Sequence, residues 1–244
     1  MDKRSLYDTI AIRKLKSQDF DRYDGGNGRV DRCVDLFVRG DLRSGGSLID
    51  FGGGIGDLGY ALRDRFDRTI VVDISKDNLR AAASKGNRTV HHDVDVGSIV
   101  ELGPSCIDVV TALDFIEHIV DPIGFARECA RLLRPGGQVF VNTPNIQFWR
   151  HMEMLVRCGR FPHTSGDREV YHGGHLAFYT FSDLCEIFGT AGLNGWVQFN
   201  DEAGYENPPD QWLQSLEYPP RNRDEYVTAC KRLGNPNLMF RCEK

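Results

Sequence analysis

The sequence has no run of the roughly 18 apolar residues that a membrane-spanning helix needs. Its first stretch, MDKRSLYDTIAIRKLK, has neither a long apolar segment nor a small-residue cleavage site. There is no basic excess. Thirty Lys and Arg against 35 Asp and Glu leave a formal charge of −5, which argues against a surface built for nucleic acid. Cysteine is present but not patterned. Cys33, Cys106, Cys129, Cys158, Cys185, Cys230 and Cys242 form no C-x-x-C pair, so a zinc knuckle is not expected. An odd number of widely spaced cysteines suits free thiols in a reducing compartment. Internal repeats and low-complexity tracts are also missing. These absences point to a cytoplasmic chain that neither crosses a membrane nor binds nucleic acid; they leave its oligomeric state open.

What is present is enough apolar material for one large α/β domain: 244 residues, 41% of them hydrophobic. Val30, Cys33, Val34, Phe37 and Val38 recur at helical spacing. SLIDF reads as a first strand, Asp57 to Phe66 as a helix, and TIVVDI as a second strand. Ser75 is placed to cap the helix that follows. Arg88 to His92 and Ile107 to Leu113 read as strands three and four. Asp121-Pro122 opens a helix over FARECARLL, Pro135-Gly136-Gly137 stops it, and QVFVNT is a fifth strand. This alternation predicts a parallel sheet covered on both faces. The rhythm breaks after Asn145 with one aromatic helical segment, FWRHMEMLVRC, and a polar loop. It resumes with a helix over Phe181 to Gly192 and a strand over Trp196 to Phe199. Asp201 to Arg223 reads as irregular, Asp224 to Leu233 as a helix and NLMFRC as a last strand.

The stretch LIDFGGGIGDLG admits two parses. Opened at Gly54, it has the spacing of a dinucleotide-binding turn. Opened at Gly52, it has that of an S-adenosylmethionine (SAM) turn. The first parse puts Gly52 and Gly53 inside the strand, where glycine weakens it. The second ends the strand at Phe51 and builds the turn from Gly52, Gly54 and Gly56. Asp73, on the second strand, does not discriminate, because either cofactor presents ribose hydroxyls to a carboxylate there.

Further segments break the tie. LIDFGGGIG, VVDIS, HHDVD, ALDFIEHIVDP and ARLLRPGGQVFVNTPN follow in order. Together they resemble the class I SAM-dependent methyltransferases. GGHLAFYTFSDLCEIFGTAGL resembles the branch containing the methionine- and ubiquinone-biosynthesis O-methyltransferase-like proteins. The resemblance implies a Rossmann-like, doubly wound, seven-stranded and mostly parallel sheet whose last strand is antiparallel. It implies a single domain over 1–244, with a helical cap at 1–45 and a substrate-covering insert at 146–178.

It also implies site residues. Asp73 would bind the ribose diol, with Ile74 beside it. Asp93 would meet the adenine amino group, with Val94 beside it. Asp50 would hold the loop or reach the methionine amino group, and as an ion it suits the sulfonium. Leu113 and Ala112 would flank the methionine portion, and Tyr23 is placed either to close over it or simply to pack. Transfer of the methyl group releases S-adenosylhomocysteine (SAH) and needs chiefly alignment and exclusion of water. A base is required when the nucleophile is a hydroxyl. His118, His175 and His172 are the candidates, with His163 nearby.

Some ubiquinone O-methyltransferases bind a divalent ion through E-x-x-E-H. Here the pattern reads Asp114-Phe115-Ile116-Glu117-His118. Carboxylates at the start of a helix need no ion to explain them, so no metal is expected. Phe148, Trp149, Phe161, Phe178 and Tyr179 line either a substrate pocket or the core of the insert. The expected activity is methyl transfer to a small molecule, most simply to a hydroxyl oxygen. A non-catalytic SAM-binding protein and an NAD-dependent oxidoreductase are the alternatives.

Overall fold

The computed structural model describes residues 28–159, 175–200, 205–216 and 219–244. Tyr23, Phe161, His163 and His172 lie outside them. Helix α1 (Gly28–Arg39) leads to β1 (Ser47–Phe51), α2 (Asp57–Ala61), β2 (Arg68–Asp73), α3 (Lys76–Ser84) and β3 (Arg88–His91). A 3-10 turn at Val94–Val96 precedes β4 (Ile107–Leu113), and a second at Ile116–His118 precedes α4 (Pro122–Leu132). Then come β5 (Leu133–Pro144), α5 (Trp149–Cys158), α6 (Phe181–Gly189), β6 (Asn194–Phe199), α7 (Asp210–Gln214), α8 (Arg223–Leu233) and β7 (Asn237–Glu243).

The seven strands form one sheet in the order β3-β2-β1-β4-β5-β7-β6. Strands β1 to β5 pair in parallel, and β7 inserts antiparallel between β5 and β6, as the resemblance implies. Side chains alternate across the sheet, so each strand feeds two layers. Leu48, Val109 and Phe140 face α1 and α2 in one cluster with Cys33, Leu36 and Phe37. Ile49, Phe51, Val72 and Val110 face α4 and α6, where Phe125, Leu184 and Phe188 complete the larger core. Burial on both faces explains why the central strands read as continuous apolar runs.

Capping residues fix the helices that frame the strand ends. Ser75 Oγ accepts from Asn78 N at 3.3 Å, and Asp121 Oδ1 from Gly124 N at 2.8 Å, with Pro122 at the first helical position. Thr180 and Asp183 form a reciprocal capping box at α6.

Helix α6 ends at Gly189 rather than Gly192 and β6 begins at Asn194 rather than Trp196, and three larger departures from the sequence reading stand beside these. The helix after the glycine loop ends at Ala61 rather than Phe66, and the chain continues in turns. Pro135-Gly136-Gly137 does not separate α4 from its strand. It bulges within β5, and the register slips between the Ile107–Leu133 and Val109–Gln138 pairs. Gly136 takes φ +78° there and donates from N to Lys244 O at 2.9 Å. The tract from Asp201 to Arg223 contains a short helix, α7, seated by the fully buried Leu213. Among the described residues, no helix is long and apolar enough to cross a membrane.

Candidate active site

The site lies at the C-terminal ends of the parallel strands, where open α/β sheets bind ligands. Strand β1 ends at Phe51, and Gly52 follows at once with φ +64°. Gly54 (φ +55°) and Gly56 (φ +77°) continue in the left-handed region, and Gly56 leads into α2. The turn therefore opens at Gly52. A Cβ there would stand 2.4 Å from Phe115 Cδ2, and one at Gly53 would stand 2.6 Å from Asp50 Oδ2. The loop is folded tightly onto the groups beneath it.

Asp73 closes β2 and is 9% exposed. Its Oδ2 accepts from Gly54 N at 3.0 Å and its Oδ1 from Ser75 N at 2.7 Å. Asn78 Nδ2 donates to both oxygens at 3.3 Å. This carboxylate thus fastens the glycine loop to the second strand. The half-buried Ile74 follows, its carbonyl hydrogen-bonded to the His91 imidazole at 3.0 Å. Asp93 caps the first 3-10 turn, accepting from Asp95 N at 3.1 Å, and Val94 packs against the main core.

Asp50 is buried under the loop and accepts from Thr111 Oγ1 at 2.7 Å. Burial pushes its pKa up from 3.8 to about 7, against the opposing pull of the Thr111 bond and the Arg29 charge. Leu113 and Ala112, both buried, end β4. The next residue, Asp114, has φ +48°, a conformation few non-glycine residues adopt. Its Oδ1 accepts from Asn142 Nδ2 at 2.7 Å, and its Oδ2 pairs with the Arg29 guanidinium.

The histidine pair lies just beyond. Glu117, 1% exposed, ends in a carboxylate whose Oε2 accepts from Thr143 Oγ1 at 2.7 Å. Burial and then the Asp114 charge push its pKa well up. The rings of His118 and His175 stand edge to face with centroids 4.8 Å apart. Residue 175 is brought there by backbone bonds from Leu176 N (2.7 Å) and Ala177 N (3.4 Å) to Glu117 O. Each of Glu117, His118 and His175 offers a ligating atom within 4.8 Å of the others; Asp114 is not among them.

The aromatic residues divide. Phe148 and Trp149 are buried with Leu213, Cys230 and Leu233 in a small core of their own, so they are local packing. Tyr179 belongs to the main core, and Phe178 lies with its ring 6.0 Å from that of His175. Asn145 ties this quarter down, donating to Arg232 O at 2.9 Å and Asn235 O at 2.7 Å.

The sequence reading missed Arg29, Thr111, Asn142 and Thr143. A basic residue in the first turn of a helix opposes the helix dipole, and that was the available signal for Arg29. The others are polar residues in apolar strands, whose partners only the fold reveals.

The family model described as a methyltransferase domain matches residues 27–198. The chain belongs to the class I SAM-dependent methyltransferases. Among its relatives, the ubiquinone biosynthesis O-methyltransferase of Idiomarina loihiensis is 30% identical over 172 residues, covering 66% of this chain and 68% of that protein. That of Sodalis glossinidius is 33% identical over 163 residues, covering 64% and 61%. The methyltransferase fold recurs in a SAM-dependent methyltransferase from Archaeoglobus fulgidus (TM-score 0.59, 15% identity, 100% of both chains). It recurs also in the Haemonchus contortus phosphoethanolamine N-methyltransferase 2 solved with SAM (TM-score 0.55, 18% identity, 87% of this chain and 51% of that one). This methyltransferase is therefore an enzyme of a SAM-using family, and the oxidoreductase and non-catalytic alternatives are set aside.

Proposed function

We infer that this enzyme moves the methyl group of SAM onto a hydroxyl oxygen of a small molecule. The observation that carries the reading is the His118–His175 pair with Glu117, next to the cofactor end of β4. A thioether leaving group departs neutral and asks little of the protein. A hydroxyl nucleophile must lose a proton, and imidazoles beside the reacting end supply the means. As free bases they would take that proton themselves. The oxygen specificity draws further support from the relatives, which are named as O-methyltransferases. His172 stays a third candidate.

SAM would lie across the ends of β1 to β4. The backbone of Gly52, Gly54 and Gly56 would follow its methionine and ribose portions. Asp73 would take the diol and Asp93 the adenine amino group, with Ile74 and Val94 flanking the base. Leu113 would pack on the methionine chain. Asp50 and Arg29 set the charge at that end, an acid for the cationic groups and a guanidinium for the carboxylate. The acidic balance of the chain favours a small acceptor over nucleic acid. All seven cysteines are free thiols, which supports a reducing, cytoplasmic setting. The described residues form one domain, and those of the insert, 146–159 and 175–178, would bear on the choice of acceptor.

The test is transfer from methyl-labelled SAM to a panel of phenols, catechols and sugar hydroxyls alongside amines, with the product methyl located by NMR. O-methyl products are expected. Label found only on nitrogen or carbon would overturn the reading.

A further inference from the structure

Glu117 has a second oxygen for which the reaction proposed above has no use. Its Oε1 is buried and accepts no hydrogen bond among the described residues. Leaving a buried acceptor unmade is costly, so such an atom calls for an explanation. Two imidazoles supply one, because the ligating atoms of Glu117, His118 and His175 lie within 4.8 Å of one another. The backbone holds that arrangement: the residue giving the carboxylate also accepts, through its carbonyl, the two N–H bonds that bring in residue 175.

Asp114, the residue that the E-x-x-E-H resemblance would enlist, does not fit. Both of its oxygens are taken, one by Asn142 and one by Arg29, and its backbone is held in the left-handed region. We propose that Glu117, His118 and His175 form a binding site for a divalent transition-metal ion, with His175 taking the place that the resemblance gives to Asp114. The difference in donors changes the ion. Magnesium prefers all-oxygen ligation, whereas one carboxylate and two imidazoles suit cobalt, nickel, zinc or iron. A bound divalent ion would supply positive charge beside the acceptor and so lower the pKa of its hydroxyl. The inference rests on the proposed reading only for where the acceptor lies. It changes the part of the imidazoles from proton acceptors to ligands.

The test uses the full chain stripped with EDTA and titrated with Co(II), followed by visible absorption. SAH binding is measured on each sample to show that the protein is folded. One equivalent of Co(II) should bind with a d–d spectrum, more tightly than Mg(II) does by calorimetry. His175→Ala and Glu117→Gln should each weaken Co(II) by more than about tenfold while SAH binding persists. Asp114→Asn should keep the ion. No Co(II) binding by a protein that still binds SAH would overturn the proposal. So would loss of the ion in Asp114→Asn with retention in His175→Ala, or a preference for Mg(II). A variant that loses both ligands is replaced by His175→Asn, judged by the same criteria. Methyl transfer to nitrogen by a protein that binds Co(II) in this way would sink the oxygen reading and leave the metal site standing.

Discussion

The two halves of the site are finished to different degrees. At the ends of β1 and β2 the polar groups satisfy one another: Asp73 accepts from Gly54, Ser75 and Asn78, and Asp50 from Thr111. The glycine loop holds its shape through bonds made by the chain itself. Beyond β4, Glu117 Oε1 and Asn142 Oδ1 are buried with no hydrogen-bond partner among the described residues. The first half stores its binding geometry in internal bonds. The second keeps buried polar capacity beside the histidine pair.

The comparison can be broken first at Asp73. Asp73→Ala removes the acceptor for three donor groups around the loop, each hydrogen bond to a charged group contributing about 1.5–3 kcal/mol. SAH affinity should fall by about 100-fold or more, read by calorimetry, and the unfolding midpoint should drop. An equivalent loss at Glu117→Gln would show that the halves are not distinct in this way. Within the loop, Gly52→Ala meets Phe115 and a positive φ, whereas Gly54→Ala meets a positive φ and open space. Left-handed strain alone costs about 1–2 kcal/mol, so Gly52→Ala should be the more damaging of the two in SAH affinity and in urea midpoint.

Asp50 sharpens the comparison through pH. Its folded pKa of about 7 lies above the ordinary 3.8, so the folded state holds that proton more tightly than the unfolded chain does. The resulting stability is greatest at low pH, declines as pH rises from about 4 to about 7, and is gone above. Asp50→Asn should flatten that part of a urea-midpoint profile. SAM, carrying a sulfonium, should favour ionised Asp50 and bind more tightly as pH rises through about 7, and SAH should show less of this trend. The smallest effect is expected at an ion pair on a helix surface. Glu153→Ala opens the 3.3 Å Glu153–Arg157 pair on α5, worth no more than about 0.5 kcal/mol, and should leave both affinities unchanged.

Much of the first half was legible in the sequence because its determinants are local. A strand, a left-handed turn and a second strand with its acid occupy Leu48 to Ser75, and the cost of glycine inside a strand favours Gly52 over Gly54, a choice the later motifs complete. The sheet order followed from the alternation of elements together with the family resemblance. What was not legible is made of contacts across the fold. Arg29 lies 85 residues from Asp114, and His175 is brought to Glu117 by backbone bonds from the following residues. The sequence pattern grouped Asp114 with Glu117 and His118 because they are neighbours in the chain. The fold separates them, because Asn142 and Arg29 claim the aspartate first. Phe148 and Trp149 read equally as pocket or core, and the seating of α7 and α8 decides for core.

The most direct test of the account is calorimetric titration of ligand-stripped protein with SAM, SAH and NAD, in the wild type and in Asp73→Ala. Binding of both adenosyl compounds, none of NAD, and loss of adenosyl binding in Asp73→Ala is the predicted result. Binding of NAD, or an Asp73→Ala protein that holds SAH as tightly as the wild type, would contradict the account.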